Sequence, residues 1–428
     1  MTLTPIKHAA HFHNGAAFKP SDWGDEGLPI LRIAQLSGKP FDNYFDGNIN
    51  RGYLIKDGDL LFSWSATIDA FIWDRGDAIL NQHIFKVVPK KNADKTYLYY
   101  LIKAHAPRWA DDDAHGSTMR HIKKESLSNK VWLPNLPTQK RIAAFLDRET
   151  ARIDALIAKK ERLVEVLQEE RFSTISRSVT VGLNPDLPLE ETGNQYIPRV
   201  TKGWKVWRLK HLASVFGGIT LGRKIAPDEN TIATPYLRVA NVQAGWLDLS
   251  DIAEIDATIA ERKRYALAAG DVLMNEGGDN DKLGRGAVWQ APFAPCINQN
   301  HVFAVRPKDK TFSRWISLTT NAQYARDFFY LHSNQSTNLA SISKTNLQKF
   351  PLAVPPKEEM LAVLGQLDEK LSQLELIVTK TDKSVTHLRE YRAALITAAV
   401  TGQIEVDSYT SSGAASAKLD QIEEEIQG

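Results

Sequence analysis

The sequence predicts an α+β protein made by tandem duplication. A mixed α/β domain followed by a long helix occurs twice, and the two helices pair as an antiparallel coiled coil. Three observations carry this prediction: a collinear internal repeat, short strand-like runs between glycine, proline and asparagine in the first part of each copy, and a long apolar stripe in the second part.

The repeat is visible in order along the chain. Ile6-Lys7-His8 is matched by Leu209-Lys210-His211, and Pro29-Ile30-Leu31-Arg32-Ile33 by Pro235-Tyr236-Leu237-Arg238-Val239. Gly58-Asp59-Leu60-Leu61 is matched by Gly270-Asp271-Val272-Leu273, and His83-Ile84-Phe85-Lys86-Val87 by His301-Val302-Phe303-Ala304-Val305. Leu146-Asp147 and Val179-Thr180 are matched by Leu367-Asp368 and Val400-Thr401. The order is kept while the offset grows from 203 to 221, as insertions in loops of the second copy would produce.

The first mixed domain is expected at 1–136, with a turn at Gly58-Asp59 feeding a strand and a short helix over 95–104. A central helical spacer follows at 137–182, because neither proline nor glycine appears between Pro137 and Gly182. Its apolar seam is read as Leu146, Ile153, Ile157, Val164 and Leu167. Thr150 and Lys160 fall on the same stripe, which makes it a poor self-pairing zipper and favours pairing with the second helix. At 1.5 Å per residue the helix spans about 65 Å. The second mixed domain is expected at 195–354, with strands over 236–242 and 300–305 and helix over 313–329. Its lead-in, Gly203-Trp204-Lys205-Val206-Trp207-Arg208, has no visible counterpart in the first copy. The C-terminal helical spacer, 355–404, carries Leu367, Leu371, Leu374, Val378, Val385 and Leu388 at alternating steps of three and four. An acidic tail, 405–428, places Leu419, Ile422 and Ile426 on one face of a short helix.

Composition excludes several classes. A chain of 428 residues with 43% hydrophobic residues has enough apolar content for real cores and is not a disordered chain. One cysteine, Cys296, excludes a disulfide framework or a cysteine-rich zinc module and fits a cytoplasmic protein. No signal peptide or apolar run of membrane-spanning length is read. The net charge of +2 conceals an uneven spread: residues 195–355 carry 20 Lys+Arg against 13 Asp+Glu, whereas 356–428 carry 7 against 13. A basic domain and an acidic end cancel.

Catalytic motifs are missing. There is no phosphate-binding Gly-x-x-x-x-Gly-Lys-Ser/Thr loop and no Gly-x-Ser-x-Gly elbow. Asn184-Pro185-Asp186 lacks the second proline and the aromatic residue of an amino-methyltransferase loop. Pro227-Asp228 with Glu261-Arg262-Lys263 satisfies a loose nuclease pattern that common residues match by chance. His8, His11 and His13 lack a nearby cysteine or carboxylate, and Asp111-Asp112-Asp113 reads as a solvated turn. No catalytic residue and no metal ligand is assigned.

Polar segments offer nucleic-acid chemistry instead. Ser117, Thr118, Arg120, Lys123 and Lys124 form one set; Asn275, Lys282 and Arg285, with Asn334, Gln335, Ser336 and Asn338, form the other. Cations and hydroxyls position phosphates, whereas amides and guanidinium groups read base edges. Simple loop polarity is the competing explanation.

Here a family resemblance enters. Gly58-Asp59-Leu60-Leu61-Phe62-Ser63-Trp64 with Asn81-Gln82-His83-Ile84-Phe85 resembles one recurrent target-recognition-domain pattern. Gly270-Asp271-Val272-Leu273-Met274-Asn275-Glu276-Gly277-Gly278, Leu283-Gly284-Arg285-Gly286 and Asn298-Gln299-Asn300-His301 resemble another. Pro137-Thr138-Gln139-Lys140-Arg141-Ile142 and Pro355-Pro356-Lys357-Glu358-Glu359 resemble the starts of two helical regions. Over residues 5–404 the chain resembles the specificity subunit of a Type I restriction–modification enzyme. The resemblance implies a non-catalytic, DNA-binding subunit. Each target recognition domain would read one half of a bipartite, asymmetric site in double-stranded DNA. The helical rod would set the spacing and dock two modification (methyltransferase) subunits, and ATP-dependent restriction subunits would join them. No cofactor is then expected on this chain; S-adenosylmethionine, ATP and magnesium belong to its partners. Two rivals are a non-enzymatic coiled-coil scaffold and a stand-alone DNA methyltransferase or nuclease with degenerate motifs.

Overall fold

The computed structural model describes residues 3–407 except 49, 114–120, 185, 227, 279–281 and 336–339. The acidic tail beyond 407 therefore lies outside the described residues. The chain divides into two compact units, one of Met1–Arg162 with Lys380–Gly428, the other of Leu163–Thr379. The boundary falls inside both long helices, so each unit is a mixed domain plus a segment of each helix, unlike the division at helix ends read from sequence.

Unit 1 contains β1 (Leu3–Pro5), β2 (Ala10–Asn14), β3 (Leu28–Leu31), β4 (Tyr44–Phe45), β5 (Leu54–Ile55), β6 (Leu60–Ser63), β7 (Asp69–Ile72), β8 (Ala78–Leu80), β9 (Ile84–Pro89) and β10 (Lys130–Trp132). They form sheets in the orders β2-β9-β6-β7 and β4-β3-β8-β5, with β1 paired to β10. A helix, Lys95–Asp113, packs Tyr97, Leu98, Leu101 and Ile102 into the core beside Leu60 and Phe62. All pairs are antiparallel except β3 with β8.

Unit 2 contains β11 (Leu189–Glu191), β12 (Arg199–Thr201), β13 (Lys205–Arg208), β14 (Ala213–Phe216), β15 (Thr231–Leu237), β16 (Ala253–Thr258), β17 (Val272–Asn275) and β18 (Gly277–Gly278). It continues with β19 (Gly286–Val288), β20 (Ile297–Asn298), β21 (Val302–Pro307), β22 (Ser333–Gln335), β23 (Ala340–Ile342) and β24 (Pro351–Val354). The sheet β14-β21-β17-β19 repeats the order of the first sheet of unit 1, and β15 pairs in parallel with β20 as β3 does with β8. Helices Phe312–Thr319 and Gln323–Leu331 replace the single helix of unit 1. The lead-in does have a partial counterpart: β13 pairs with β24 as β1 pairs with β10. The Ile6 N–H donates to Asn129 O as the Leu209 N–H donates to Phe350 O. That equivalence is carried by pairing rather than by residue identity.

The same stabilising devices recur. Asp59 binds Lys86 at 2.7 Å and accepts from the Lys56 N–H; Asp271 binds Arg306 at 2.7 Å and accepts from the Ala268 N–H. Arg32 and Arg238 each start a capped turn closed by Gln35 or Asn241 and each pair with a carboxylate, Asp42 or Asp251. The Tyr97 hydroxyl donates to Trp132 O, and the Trp315 Nε1–H to Ala353 O. Gly15 and Gly218 pass so close to the 80–81 and 298–299 carbonyls that a Cβ would lie 2.2 and 2.1 Å from an oxygen. The strand expected over 236–242 stops at Leu237, because the Asn241 Oδ1 captures the Arg238 N–H and turns the chain.

The long helices run Leu136–Val181 and Lys357–Val400. In unit 1 they are antiparallel: Asp154 meets Arg392 at 2.8 Å and Glu161 meets Arg389 at 2.7 Å. Leu146, Ile153, Ile157, Val385 and Leu388 are buried there. In unit 2 Glu170 meets Lys370 at 3.0 Å, and Leu367, Leu371 and Leu374 are buried, while Val164, Leu167 and Val378 are half-buried. Thr150 is buried yet satisfied: its hydroxyl donates to Leu146 O and lies 3.0 Å from the Tyr100 hydroxyl, which donates to Asp147. The first turns of this helix therefore bury Ile142, Ala143, Phe145 and Leu146 against the mixed domain as well as the other helix, which explains why the stripe reads imperfectly.

Candidate nucleic-acid interface

Each large sheet carries a similar edge where its Gly-Asp strand ends. In unit 1, β6 leaves the core and delivers Trp64, half-buried. The Trp64 N–H donates to His83 O, and Trp64 O accepts from the Ile122 N–H at 2.8 Å. The indole lies 5.4 Å from the His83 ring and 6.1 Å from Phe85, and its Nε1–H donates to Asn14 Oδ1. His83 Nδ1 is buried with no hydrogen-bond partner. Around Trp64 opens a cleft of about 690 Å³ to which His13, Asn50, Tyr53, His121, Lys123 and Lys124 contribute. Lys123 and Lys124 are exposed, held by the Lys123 N–H donating to Asp113. Asp113 thus closes this turn, accepting also from the Ser126 hydroxyl. His11 and His13 are exposed on β2 with ring centroids 6.1 Å apart.

In unit 2, β17 leaves its core at the equivalent point and delivers Glu276, whose N–H donates to His301 O and whose carbonyl accepts from the Ile342 N–H at 2.8 Å. Its Oε2 lies 3.5 Å from His301 Nδ1, and burial raises the carboxyl pKa above its ordinary value. The chain then enters β18, which joins β23 and β22 in a three-stranded sheet. Both exits use a positive φ, at Ala66 (56°) and Gly278 (137°). For Ala66 that is a left-handed residue costing about 1–2 kcal/mol, a strain that collects where chains present functional groups.

The polar residues singled out in the sequence divide. Asn334 and Gln335 are exposed on β22, and Lys282 is exposed in the loop after β18. Arg285 is half-buried, its carbonyl accepting from the Asn275 N–H. Asn275 itself is 1% exposed and its Nδ2–H donates to Val242 O and Lys282 O, so it shapes the loop and its amide does not face a base. The structure therefore corrects the base-reading role given to Asn275. Ser117, Thr118, Arg120, Ser336 and Asn338 lie outside the described residues. Trp64 and Glu276, quoted only within patterns, and the cleft residues Asn14 and Asn50 stand at these edges with no role assigned from the sequence. Counting from the Gly-Asp pair would have found the first two, since Trp64 and Glu276 both stand six residues after Gly58 and Gly270.

Other sequence candidates have structural work. Glu261 caps the helix Ile259–Tyr265 through the Thr258 N–H and pairs with Arg223. Pro227 lies outside the described residues. Among the described residues no group of three His, Cys, Asp or Glu is placed to hold a metal ion, and no helix is long and apolar enough to cross a membrane.

The sequence matches the family described as Type I restriction modification DNA specificity domain twice, over residues 5–166 and 201–379. The Escherichia coli protein described as Type I restriction enzyme EcoBI specificity subunit is 24% identical over 284 residues, 64% of this chain and 60% of that protein. This chain thus aligns with less than two thirds of that relative's length. The corresponding EcoKI subunit of Escherichia coli strain K12 is 20% identical over 320 residues, 72% of this chain and 67% of that protein. A solved chain from work on complex assembly and conformational transition of the type I R-M system shares the fold. It has a TM-score of 0.65 at 15% identity, over 94% of this chain and all of that one. With two matched domains on two similarly built frames, the chain belongs to the Type I restriction–modification specificity-subunit family.

Proposed function

We propose that each unit reads one half of a bipartite, asymmetric site in double-stranded DNA, and that the paired helices set the gap between the halves and dock two modification subunits. One observation carries this reading: the two units share sheet order, latches and turns, yet differ in the side chains at the exit of the central strand. A repeated frame with divergent edges is what reading two dissimilar half-sites requires. Exposed Lys123, Lys124, Lys282 and Lys344 supply phosphate contacts, and the amides of Asn334 and Gln335 supply base-edge contacts. The chain contributes recognition and no catalysis; S-adenosylmethionine, ATP and magnesium act on the methyltransferase and restriction subunits, in the cytoplasm.

Mapping of adenine methylation in cells that carry this chain with its methylating partner tests the proposal. The expected result is a split motif with a fixed unspecified gap. One continuous motif, or methylation unaltered when this chain is removed, overturns it. Binding of the complex should also weaken steeply with salt, as counterions released by phosphate neutralisation demand.

A further inference from the structure

We infer that the residue leaving the Gly-Asp strand, Trp64 in unit 1 and Glu276 in unit 2, is a base-discriminating position of each half-site reader, and that Glu276 accepts a hydrogen bond from a cytosine amino group. The inference rests on the half-site reading above and assigns one contact within it.

Four observations support it. First, the backbone of this residue is used identically in both units: its N–H donates to the carbonyl of His83 or His301, and its carbonyl accepts from the N–H of Ile122 or Ile342. Each side chain is therefore presented in the same way to its own unit, while the chemistry changes from indole to carboxylate. Second, the neighbour is a histidine in both cases, its ring tilted against Trp64 at 5.4 Å between centroids in one and its Nδ1 3.5 Å from the Glu276 carboxylate in the other. Third, an exposed lysine, Lys124 or Lys344, follows two residues after the isoleucine that clamps the site, so each unit carries a cation able to position a phosphate at the same offset from the clamp. Fourth, the Glu276–His301 contact is a poor structural staple. Its side chains are 28% and 57% exposed, a setting in which ion pairs contribute little.

A carboxylate beside a polyanion is repelled unless it meets a donor. In the major groove the amino group of cytosine is the donor that Glu accepts from, whereas an apolar surface meets the thymine methyl. Trp64 has its single donor engaged by Asn14, which leaves the apolar ring face for such a contact.

The test selects bound sequences from a duplex DNA library, one half-site randomised at a time, using the full-length chain in its methyltransferase complex. Glu276→Gln preserves shape and removes the charge. It should relax one cytosine position of the second half-site, lowering discrimination there about tenfold or more, with the first half-site unchanged. Trp64→Gln should alter only the first half-site; if that variant fails to fold, Glu276→Gln decides alone. A wild-type complex that selects two half-sites while Glu276→Gln leaves both unchanged overturns the inference and spares the proposed function. A wild-type complex that selects no bipartite site overturns both.

Discussion

Replacing Arg306 with methionine should destabilise unit 2 far more than replacing Lys86 with methionine destabilises unit 1. Both cations latch the aspartate of a Gly-Asp turn from the strand beside it. The surroundings differ. The Asp271 side chain is 1% exposed and accepts from Arg306 Nε–H and Nη2–H, each at 2.7 Å, and from the Ala268 N–H at 2.8 Å. The Asp59 side chain is 27% exposed and takes one bond from Lys86 at 2.7 Å. Stripping the partner from a buried carboxylate costs about 3–5 kcal/mol. The low end applies here, because the Arg306 side chain is 43% exposed and water follows it. In unit 1 the carboxylate keeps its own access to water, and its pair with Lys86 is worth about 1 kcal/mol. The difference of about 2 kcal/mol is roughly a thirtyfold difference in opening equilibrium. Hydrogen exchange read by mass spectrometry resolves the units: protection should fall over β17 and β21 in Arg306→Met about thirtyfold more than over β6 and β9 in Lys86→Met. Equal losses, or a larger loss in Lys86→Met, would refute the burial argument.

Three further outcomes are expected. Gly218→Ala forces a Cβ to 2.1 Å from the Asn298 carbonyl oxygen, whereas Gly38→Ala meets nothing within 4 Å. The first should therefore cost at least 1–3 kcal/mol as overpacking and the second only about 1–2 kcal/mol of left-handed strain, as thermal denaturation will rank them. Cys296 is 2% exposed and burial pushes its thiol up to about 12, so iodoacetamide at pH 8 should leave the folded protein unmodified and alkylate it in urea; rapid labelling of native protein would contradict the core placement. Glu261 is held down to about 2, first by Arg223 and then by the Thr258 N–H. A depressed folded value means its stabilisation is complete above about 4.5 and lost as pH falls towards 2. Melting temperature in Glu261→Gln should accordingly fall less steeply over that range than in the wild type.

The duplication and the long helices were legible because they are written in local signals: Gly-Asp turns, β-branched runs and a stripe of period three and four. What escaped was long-range. Nothing in Arg238-Val239-Ala240-Asn241 announces that Asn241 will cap a turn pinned by Asp248 and Asp251 carbonyls, so the strand was read too far. Amide chemistry suggests a base reader at Asn275, but β19 and β21 close on both sides of β17 and bury it. Trp64 was read only as part of a pattern. Its importance emerges when His83, Asn14 and the 121–124 segment, far away in sequence, converge on it. Thr150 and Lys160 looked like flaws in a zipper, yet Thr150 proves to be satisfied by Tyr100 of the mixed domain.

The repeat also separates what the frame must keep from what it leaves free. Every recurrent device acts through groups that any altered edge would leave untouched: backbone pairing, a latched aspartate, a glycine under two carbonyls, an aromatic donor bonded to the closing strand. Glu276 contributes its backbone N–H and C=O to that frame, whereas Trp64 also packs its indole against the unit 1 core. Both side chains are half open to water; exchange should cost little at Glu276 and more at Trp64, whose indole leaves a packed contact. Under the proposed half-site reading, such positions let specificity change without rebuilding the core. Trp64→Glu should bring a cytosine preference into the proposed first half-site. Loss of folding in Trp64→Glu, with Glu276→Gln still folded, would show that the indole is part of the frame and that the two copies have diverged in construction as well as in reading.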